Sequence, residues 1–321
     1  MIDFTAPLPC QHTQTKKHGR DRYGNQRMRC LTCGKTWIVT PPRPLGSMRI
    51  DLDKAVFALR LLLEGTSIRA TARLTGLDKN TLCDLVATVG ANCERFMRAT
   101  VVDVPVKEIE ADELWGFVHC KEKTRQRLGY GELFGDVYTF VAMERTSKFV
   151  VTWLCGKRTS ENCWEFVNNL YFATTGRFAV STDGFTPYSS SIPLVFGFNV
   201  DFAQIVKRFS GTSDVDGSRR YSPANIVSTD KVRGCGNPDL DRASTSHSER
   251  LNRSFRMGIR RLTRLTDAHS KKWENHEAMV ALWLGYYNYV RVHSTIKTTP
   301  AVAQGLASKP WSIEELLTAA A

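Results

Sequence analysis

The run VPVKEIEADELWGFVHC at 104–120 decides which fold class the sequence predicts. It is rich in strand-forming residues, and two further runs of the same kind follow at 135–147 and 148–157. A helical pattern at 160–174 and a short strand pattern at 178–182 come next. This order of strands and helices predicts a mixed α/β domain rather than a regular βαβ repeat.

More elements are predicted downstream. Residues 199–209 have the pattern of a fifth strand, whereas 210–244 are rich in Gly, Ser, Asp and Pro and predict an insertion or a long loop. Helices are predicted at 245–265 and 272–291, and a short one at 311–318.

The composition changes along the chain and predicts a multidomain α/β protein. Five segments are expected: a cysteine-bearing module at 1–40, a linker at 41–50, a helical domain at 51–100, a mixed-sheet domain at 105–295 with the inserted loop, and a C-terminal tail with a short helix at 296–321.

The whole chain is strongly basic. Its 321 residues carry 44 Lys and Arg against 32 Asp and Glu, a formal net charge of +12. Much of the excess lies in two blocks, at 1–49 and 250–272. A polyanion, most commonly nucleic acid, is the partner that such a charge favours. Two separated basic blocks predict two contact surfaces.

The N-terminal module contains a metal-ligand spacing. Cys30 and Cys33 are separated by two residues, which lets both thiolates reach one ion, as in the knuckle of a zinc ribbon. Cys10 and His12 are predicted to complete a tetrahedral zinc site, with His18 as a rival ligand. The alternative is a pair of free cysteines in a loop.

The segment SIRATARLTGLDKNTLCDLVATVG at 67–90 predicts a helix-turn-helix. A short turn at 75–77 separates two helices, and Asp78 is expected to cap the second one. The predicted core is Leu74, Leu77, Leu82 and Val86. At the start of the second helix, the residues expected to face DNA bases are Lys79, Asn80 and Thr81. The alternative is a plain helical bundle that joins two domains.

Two acidic residues stand where strand patterns end. Asp112 ends an apolar-polar run, and Asp183 ends the run RFAVSTD. Strand alternation puts Glu110 and Asp112 on one face of the first strand and Glu113 on the other. Glu113 is therefore expected to form a salt bridge, although it stays a candidate ligand. The alternative role for Asp183 is a helix N-cap.

A third acid, Glu249, lies in the basic run SHSERLNRSFRMGIRRL at 246–262. On one long helix it would share a face with Asn252, Arg253, Arg256 and Arg260. The four arginines of this run that are predicted to position DNA phosphates are Arg253, Arg256, Arg260 and Arg261. Rival third acids are Asp201, Asp214, Asp216 and Asp230. Two strand-end acids and a third acid on a basic helix predict a site for two Mg²⁺ ions over a phosphodiester.

Several motifs resemble, in order, those of the transposases of the insertion sequence 1 family. They are DELWGFV at 112–118, STDGFTPY at 181–188, STSHSERLNRSFRMGIRRLTRLT at 244–266, HSKK at 269–272 and YYNYVRVHSTIKTTPA at 286–301. The resemblance covers most of the chain. It departs at Pro7, where the zinc module of the family would carry its first cysteine.

The resemblance implies a DDE transposase with an RNase H-like catalytic core. Its catalytic triad would be Asp112, Asp183 and Glu249, holding Mg²⁺ or Mn²⁺. The zinc-ribbon-like module and the helix-turn-helix would bind the terminal inverted repeats of the element, and strand transfer would join its 3′ ends to target DNA. Two alternatives stay open: an inactive DNA-binding regulator derived from a transposase, and an RNase H-like nuclease that does not transpose.

The expected setting follows from the same reasoning. Nine scattered cysteines without a disulfide framework or a secretory signal predict a reducing cytosol. The family resemblance implies a bacterial cytoplasm, with association to the nucleoid when DNA is bound. No membrane span is expected, because no apolar run approaches the ~18 residues required. Pairing of two transposon ends implies a homo-oligomer, at least a dimer in the DNA complex.

Overall fold

The chain forms two compact units. The computed structural model describes residues 10–22, 24–39, 43–209, 226–264 and 266–321. The units are Met1–Arg43 and Pro44–Ala321. The predicted helical and mixed-sheet domains thus belong to the same unit. Residues 1–9 of the predicted cysteine module, residue 40 at its end and residues 41–42 of the predicted linker lie outside the described residues.

The first unit is a three-stranded antiparallel sheet in the order β1 (Thr15–Arg20), β2 (Gln26–Cys30) and β3 (Thr36–Ile38). A tight turn joins β2 to β3, in which Cys30 N donates to Lys35 O and Gly34 N donates to Cys30 O. Most side chains of the strands are exposed, and the side chain of Cys30 is fully buried. Such a small sheet has too little apolar area to be stable without a further constraint.

The second unit begins with three helices, α1 (Leu52–Leu63), α2 (Ile68–Thr75) and α3 (Lys79–Thr100). The predicted turn is confirmed: Gly76 adopts a left-handed conformation and ends α2. Asp78 caps α3 as predicted, because its Oδ1 accepts from Asn80 N at 2.8 Å.

The predicted core of this segment is confirmed in part. Leu82 and Val86 are fully buried, but Leu74 is 63% exposed, so its prediction is wrong. Thr71 and Thr75, one helical turn apart, occupy the inward face of α2 instead. Leu74 precedes Thr75 by about 100° around the helix and therefore faces outward.

The mixed sheet and its helices follow. In chain order they are β4 (Val104–Pro105), β5 (Glu108–Val118), α4 (Glu122–Leu128), β6 (Gly135–Glu144), β7 (Val150–Gly156), α5 (Ser160–Ala173), β8 (Thr174–Thr175), β9 (Phe178–Asp183), α6 (Pro187–Phe196), β10 (Val200–Phe209) and β11 (Ile226–Cys235). The expected strands β5, β6, β7, β9 and β10 occur in the expected order, with α5 and α6 among them. The helix α4, which replaces an expected turn between β5 and β6, and the short strands β4 and β8 are additional.

Six strands form one sheet in the order β11-β10-β9-β5-β6-β7. β5, β6 and β7 are antiparallel neighbours, β9 and β10 run parallel to β5, and β11 closes the edge antiparallel to β10. β4 and β8 pair separately as a short parallel ladder. The chain is therefore a mixed α/β protein with a large mixed sheet.

The edge strand β11 lies inside the stretch 210–244 that the sequence predicts to be a loop. Its side chains are mostly exposed on both faces of the sheet. Its sequence therefore needs neither an apolar run nor an alternating pattern, which are the two signals that predict a strand. Its ladder with β10 orders it instead, through tertiary hydrogen bonds that local sequence does not encode. Residues 210–225 of the predicted loop lie outside the described residues.

The C-terminal part contains α7 (Ser246–Gly258), a 3-10 turn at Arg260–Leu262, α8 (Trp273–Tyr289), α9 (Pro300–Ala303) and α10 (Ile313–Ala320). The predicted helices at 272–291 and 311–318 are confirmed. The helix predicted over 245–265 is too long, because α7 ends at Gly258 and Ile259 is extended and buried. A Cβ on Gly258 would lie 2.2 Å from the indole nitrogen of Trp283, so the last residue of α7 packs closely on α8.

The long helix α3 packs along α8, and α10 packs on both. At Gly90 the two backbones are so close that an added Cβ would lie 2.1 Å from the carbonyl oxygen of Ala278. The helix-turn-helix segment is thus part of the core of the second unit. No helix in the described part of the chain is long and apolar enough to cross a bilayer.

We expect Gly90→Ala to lower the free energy of unfolding of the second unit by about 2 kcal/mol or more, because the methyl group must push α3 away from backbone that cannot yield. Urea unfolding followed by tryptophan fluorescence measures this. Gly131→Ala is the control, since nothing lies within 4 Å of its added Cβ. Equal stability of the two variants would contradict the close α3–α8 contact.

Candidate functional site

Asp112 and Asp183 lie side by side on two parallel strands. The pairing of β5 with β9 runs to Ala111 opposite Thr182, and the two acids are the next residues on each strand. Asp183 ends β9, as predicted. Asp112 does not end its strand, because antiparallel pairing with β6 carries β5 on to Val118. The acids therefore stand where the parallel pairing stops.

Glu113 completes a cluster of three carboxylates. One oxygen each of Asp112, Glu113 and Asp183 lies within 4.8 Å of the others. An all-oxygen set of carboxylates is the donor type that Mg²⁺ or Mn²⁺ takes. The residues present therefore fit a divalent cation.

Burial raises the pKa of all three acids, and repulsion between carboxylates adds to the rise at Asp112 and Glu113. Burial raises the pKa of Asp112 to about 8, and the neighbouring charges of Asp183 and Glu113 add to this effect. Burial and the charge of Asp183 raise the pKa of Glu113 to about 7. Burial also raises the pKa of Asp183. A bound cation would relieve this repulsion and favour the ionised carboxylates.

One arginine bridges two of these acids. Arg158, which follows β7, places Nε 3.1 Å from Glu113 and Nη2 3.3 Å from Asp183. Its guanidinium also lies 4.1 Å from the ring centroid of Phe185. The predicted salt bridge of Glu113 is confirmed, but Glu113 belongs to the acidic cluster as well.

The helix α7 crosses the face of β5 that carries Glu110 and Asp112, as the strand alternation predicts. Buried Glu110 accepts from the backbone N–H groups of His247 and Ser248, at 2.8 and 3.1 Å. One oxygen of Asp112 accepts from Asn252 Nδ2 at 2.8 Å. These contacts fix the first two turns of α7 against the acidic strand.

Glu249 lies on α7 but outside the carboxylate cluster in the described part of the chain. Its carboxylate forms a salt bridge with Lys207 of β10 and accepts from Thr245 Oγ1 at 3.1 Å. Its side chain is 49% exposed. Its charge still helps to raise the pKa of Asp112, after burial and the charges of Asp183 and Glu113. The structure thus brings together two of the three predicted acids and adds Glu113.

The predicted alternatives concern Asp183 as a helix cap and four rival third acids. Asp183 does not cap a helix, since Thr186 precedes α6 at the N-cap position. Asp201 forms a salt bridge with Arg177, and Asp230 pairs with Arg208. The remaining rivals, Asp214 and Asp216, lie outside the described residues.

The predicted arginine face of α7 is shorter than expected. Arg256 donates to the carbonyl oxygens of Leu262 and Trp115, at 2.9 and 3.1 Å, and burial lowers its pKa to about 10. Arg253 is exposed. Because α7 ends at Gly258, Arg260 lies on the 3-10 turn and not on the helix face of Glu249.

The predicted base-reading residues lie in the first turn of α3. Lys79 and Asn80 are exposed, and Thr81 is half-buried. The side chain of Asp78 accepts the hydrogen bond of the backbone N–H of Asn80. The amide side chain of Asn80 takes no part in this cap. The three residues therefore lie at the start of the second helix of the segment, as predicted.

The four predicted metal ligands of the first unit converge. One ligand atom each of Cys10, His12, Cys30 and Cys33 lies within 4.8 Å of the others. The Sγ atoms of Cys10 and Cys30 are 3.7 Å apart, close to the roughly 3.8 Å between two thiolates on one tetrahedral zinc ion. The rival His18 is exposed on β1, and Pro7 lies outside the described residues.

The cluster favours a thiolate at Cys30. The backbone N–H of Cys33 stabilises the ionised sulfur most, and His12 adds a further hydrogen bond, so the pKa of Cys30 falls to about 6. The thiolate is the form that binds a metal. The three cysteine sulfurs and the histidine nitrogen thus form a donor set that fits Zn²⁺.

Sequence reasoning missed the two cations that contact the acids, Arg158 and Lys207. Both contacts join residues far apart in the chain, and neither local sequence has a distinctive pattern. Comparison of the sequence with protein-family models and with curated proteins finds no match. The resemblance to a transposase family therefore rests on the quoted motifs.

We expect the acidic cluster to destabilise the second unit unless a cation is bound. The folded state raises the pKa of Asp112 from 3.8 to about 8, so it holds this proton more tightly than the unfolded chain. Stability without divalent cations should therefore fall as the pH rises between these values. At pH 8, Asp112→Asn should raise the free energy of unfolding by about 1–3 kcal/mol.

Urea unfolding at pH 5 and pH 8, with EDTA or with Mg²⁺, tests this expectation. Mg²⁺ should stabilise the wild type at pH 8 and stabilise Asp112→Asn much less. Asp84→Asn, at an exposed position of α3, is the control and should behave as the wild type. The same pH dependence in Asp112→Asn and the wild type would disprove the assignment.

We expect the first unit to bind one Zn²⁺ per chain. Co²⁺ substitution should give thiolate charge-transfer absorption, and Cys33→Ser should weaken both this absorption and the affinity for Co²⁺, because the cluster then has only three of its four ligands and one thiolate fewer. His18→Asn is the matched control and should retain the signal. Loss of the signal in His18→Asn with retention in His12→Asn would show that the ligand set is wrong.

Proposed function

We propose that this chain is a DNA transposase that binds the terminal inverted repeats of an insertion sequence, cleaves a strand and joins the freed 3′-hydroxyl to target DNA. The observation that carries the proposal is the adjacency of Asp112 and Asp183 on parallel strands, with the basic helix α7 held against β5, the strand of Asp112. The sequence motifs quoted above provide the family resemblance.

The strand order supports an RNase H-like core. The antiparallel neighbours β5, β6 and β7 form one side of the sheet, and β9 and β10 continue it in parallel on the other side of β5. The acids stand on the two central strands, β5 and β9. In this proposal β11 is an addition to the edge.

The chain's own residues have definite tasks in the proposed reaction. Asp112 and Asp183 would hold the cations, since their oxygens lie in one cluster. Glu249 would join them after releasing Lys207, a movement that its exposed side chain permits. Two bound Mg²⁺ or Mn²⁺ ions would activate the attacking oxygen and stabilise the leaving one. Asn252 would keep Asp112 in place by its hydrogen bond.

The DNA-binding parts would be the first unit and the start of α3. Zn²⁺ would order the small sheet, whose basic strands then contact phosphates. Lys79, Asn80 and Thr81 would face base edges in the major groove. Pairing of two transposon ends would bring at least two copies of the chain together.

The decisive test is Mg²⁺-dependent cleavage and strand transfer on DNA that carries the ends of the element. Asp183→Ala and Glu249→Ala are expected to lower the rates of both reactions by at least about 100-fold. Removing one group that stabilises charge in a transition state typically has an effect of this order. Asp201→Ala is the control, because this acid is paired with Arg177. Retained activity in either test variant would disprove the proposed triad.

The same experiment separates the alternatives. Cleavage without joining of the 3′ end would support a nuclease, and specific end binding without cleavage would support a regulator. Glu113→Ala adds a further comparison, because Glu113 lies in the cluster and Glu249 does not. Loss of activity in Glu113→Ala with retention in Glu249→Ala would make Glu113 the third metal ligand.

A further inference from the structure

A cleft of about 620 Å³ lies between the helix-turn-helix segment and the chain that follows α7. Its walls come from the starts of α2 and α3, from the 3-10 turn and from the chain leading into α8. The basic residues that line it are Arg69, Lys79, Arg260, Arg261 and Lys271, and Asp267 is the one acid among its lining residues. The cleft therefore has a large excess of positive charge.

Among the described residues, these cations have no acidic partners. None of the five forms a salt bridge with an acidic residue in the described part of the chain. Elsewhere in the second unit, arginines at the sheet are paired, as Arg145 is with Glu108 and Arg177 with Asp201. Unpaired cations that face one cavity repel each other unless an anion lies between them.

Arg261 gives the strongest indication of a ligand. It is half-buried, and its Nη1 donates to the carbonyl oxygen of Asn275 at 2.9 Å, which fixes the guanidinium at the wall of the cleft. Burial lowers its pKa, as expected for a cation withdrawn from water. A guanidinium fixed in this way is preorganised for a phosphate.

The walls of the cleft are rigidly connected. Gly65, in the turn between α1 and α2, packs against the end of α7 so closely that an added Cβ would lie 2.5 Å from the carbonyl oxygen of Met257. On the other side, α3 packs along α8 at Gly90. The start of α3 and the basic residues after α7 thus keep a fixed separation.

We propose that this cleft binds the phosphodiester backbone of duplex DNA next to the bases that face the start of α3. The proposal rests on the proposed function in so far as it requires a DNA partner. The start of α3 and the basic residues after α7 would then contact DNA as one continuous surface and not as two separate ones. Lys271 and Arg69 are new phosphate contacts in this surface, and the N-terminus of α3 adds its dipole.

The surface also fixes the register of DNA on the protein. Phosphate contacts orient a duplex, whereas base contacts specify its sequence. With both kinds of contact on rigidly joined walls, a duplex read by Asn80 is held at one angle to α7. That helix in turn crosses the acidic strand β5.

The salt dependence of duplex binding tests the proposal. Fluorescence anisotropy with a short duplex over a series of KCl concentrations gives the slope of log Kd against log salt. Arg260→Gln combined with Lys271→Gln should reduce the slope by about 1.8, since each phosphate that is no longer neutralised lowers it by roughly 0.9. Both residues are exposed, so the variant should keep the fold, as its thermal unfolding will show.

Arg264→Gln is the matched control, because Arg264 is exposed on the same stretch but does not line the cleft. An unchanged slope in the double variant, or an equal change per charge in Arg264→Gln, would overturn the proposal and leave DNA binding by the wild type intact. Absence of any duplex binding by the wild type would overturn the proposed function as well.

Inorganic pyrophosphate distinguishes a small anion from a DNA backbone. We expect pyrophosphate to protect the wild type only weakly against thermal unfolding. We also expect the affinity for duplex DNA to fall when the charges of the cleft are removed. Strong protection by pyrophosphate together with a duplex affinity that the double variant retains would show a small-anion site. That outcome would overturn the proposal.

Discussion

The buried carboxylate of Glu110 is the contact on which the site depends. It accepts from two backbone N–H groups at the start of α7, where the helix dipole is positive, and one oxygen lies 3.6 Å from Arg145. Burial raises the pKa of Glu110, whereas these hydrogen bonds and Arg145 oppose the rise. Because Glu110 and Asp112 share one face of β5, the same contact that anchors α7 brings Asn252 to Asp112.

The acidic cluster differs from Glu110, because it concentrates like charges in a largely buried part of the sheet. Burial is the main cause of the raised pKa of Asp112 and of Glu113, and each feels the charge of Asp183. Arg158 offsets this charge at Glu113 and Asp183, and Lys207 offsets the charge of Glu249. A site that is costly without a cation is a functional candidate, since selection for stability alone would remove it.

The sequence predicts most of the sheet because strand patterns at β5, β6, β7 and β9 are strong and local. It also identifies the adjacent acids and the four clustered cysteine and histidine side chains of the first unit. It fails where tertiary contacts decide: β11 is ordered by its neighbour, and α7 ends where Gly258 meets Trp283. Arg260 therefore leaves the predicted helix face. The pairing of Glu249 with Lys207 joins two elements whose approach no sequence spacing specifies.

The helix α3 links the proposed DNA-reading residues and the sheet that carries the acidic cluster within one compact unit. Its 22 residues span ~33 Å, from Lys79 at the basic cleft to Thr100. Arg98, close to its C-terminal end, lies 5.7 Å from the ring of Trp153 on β7. One continuous helix thus contacts the proposed DNA surface at its start and the sheet at its end. A rigid helix of this kind transmits position without a hinge, so the orientation of bound DNA would be set by the packing of α3 on α8.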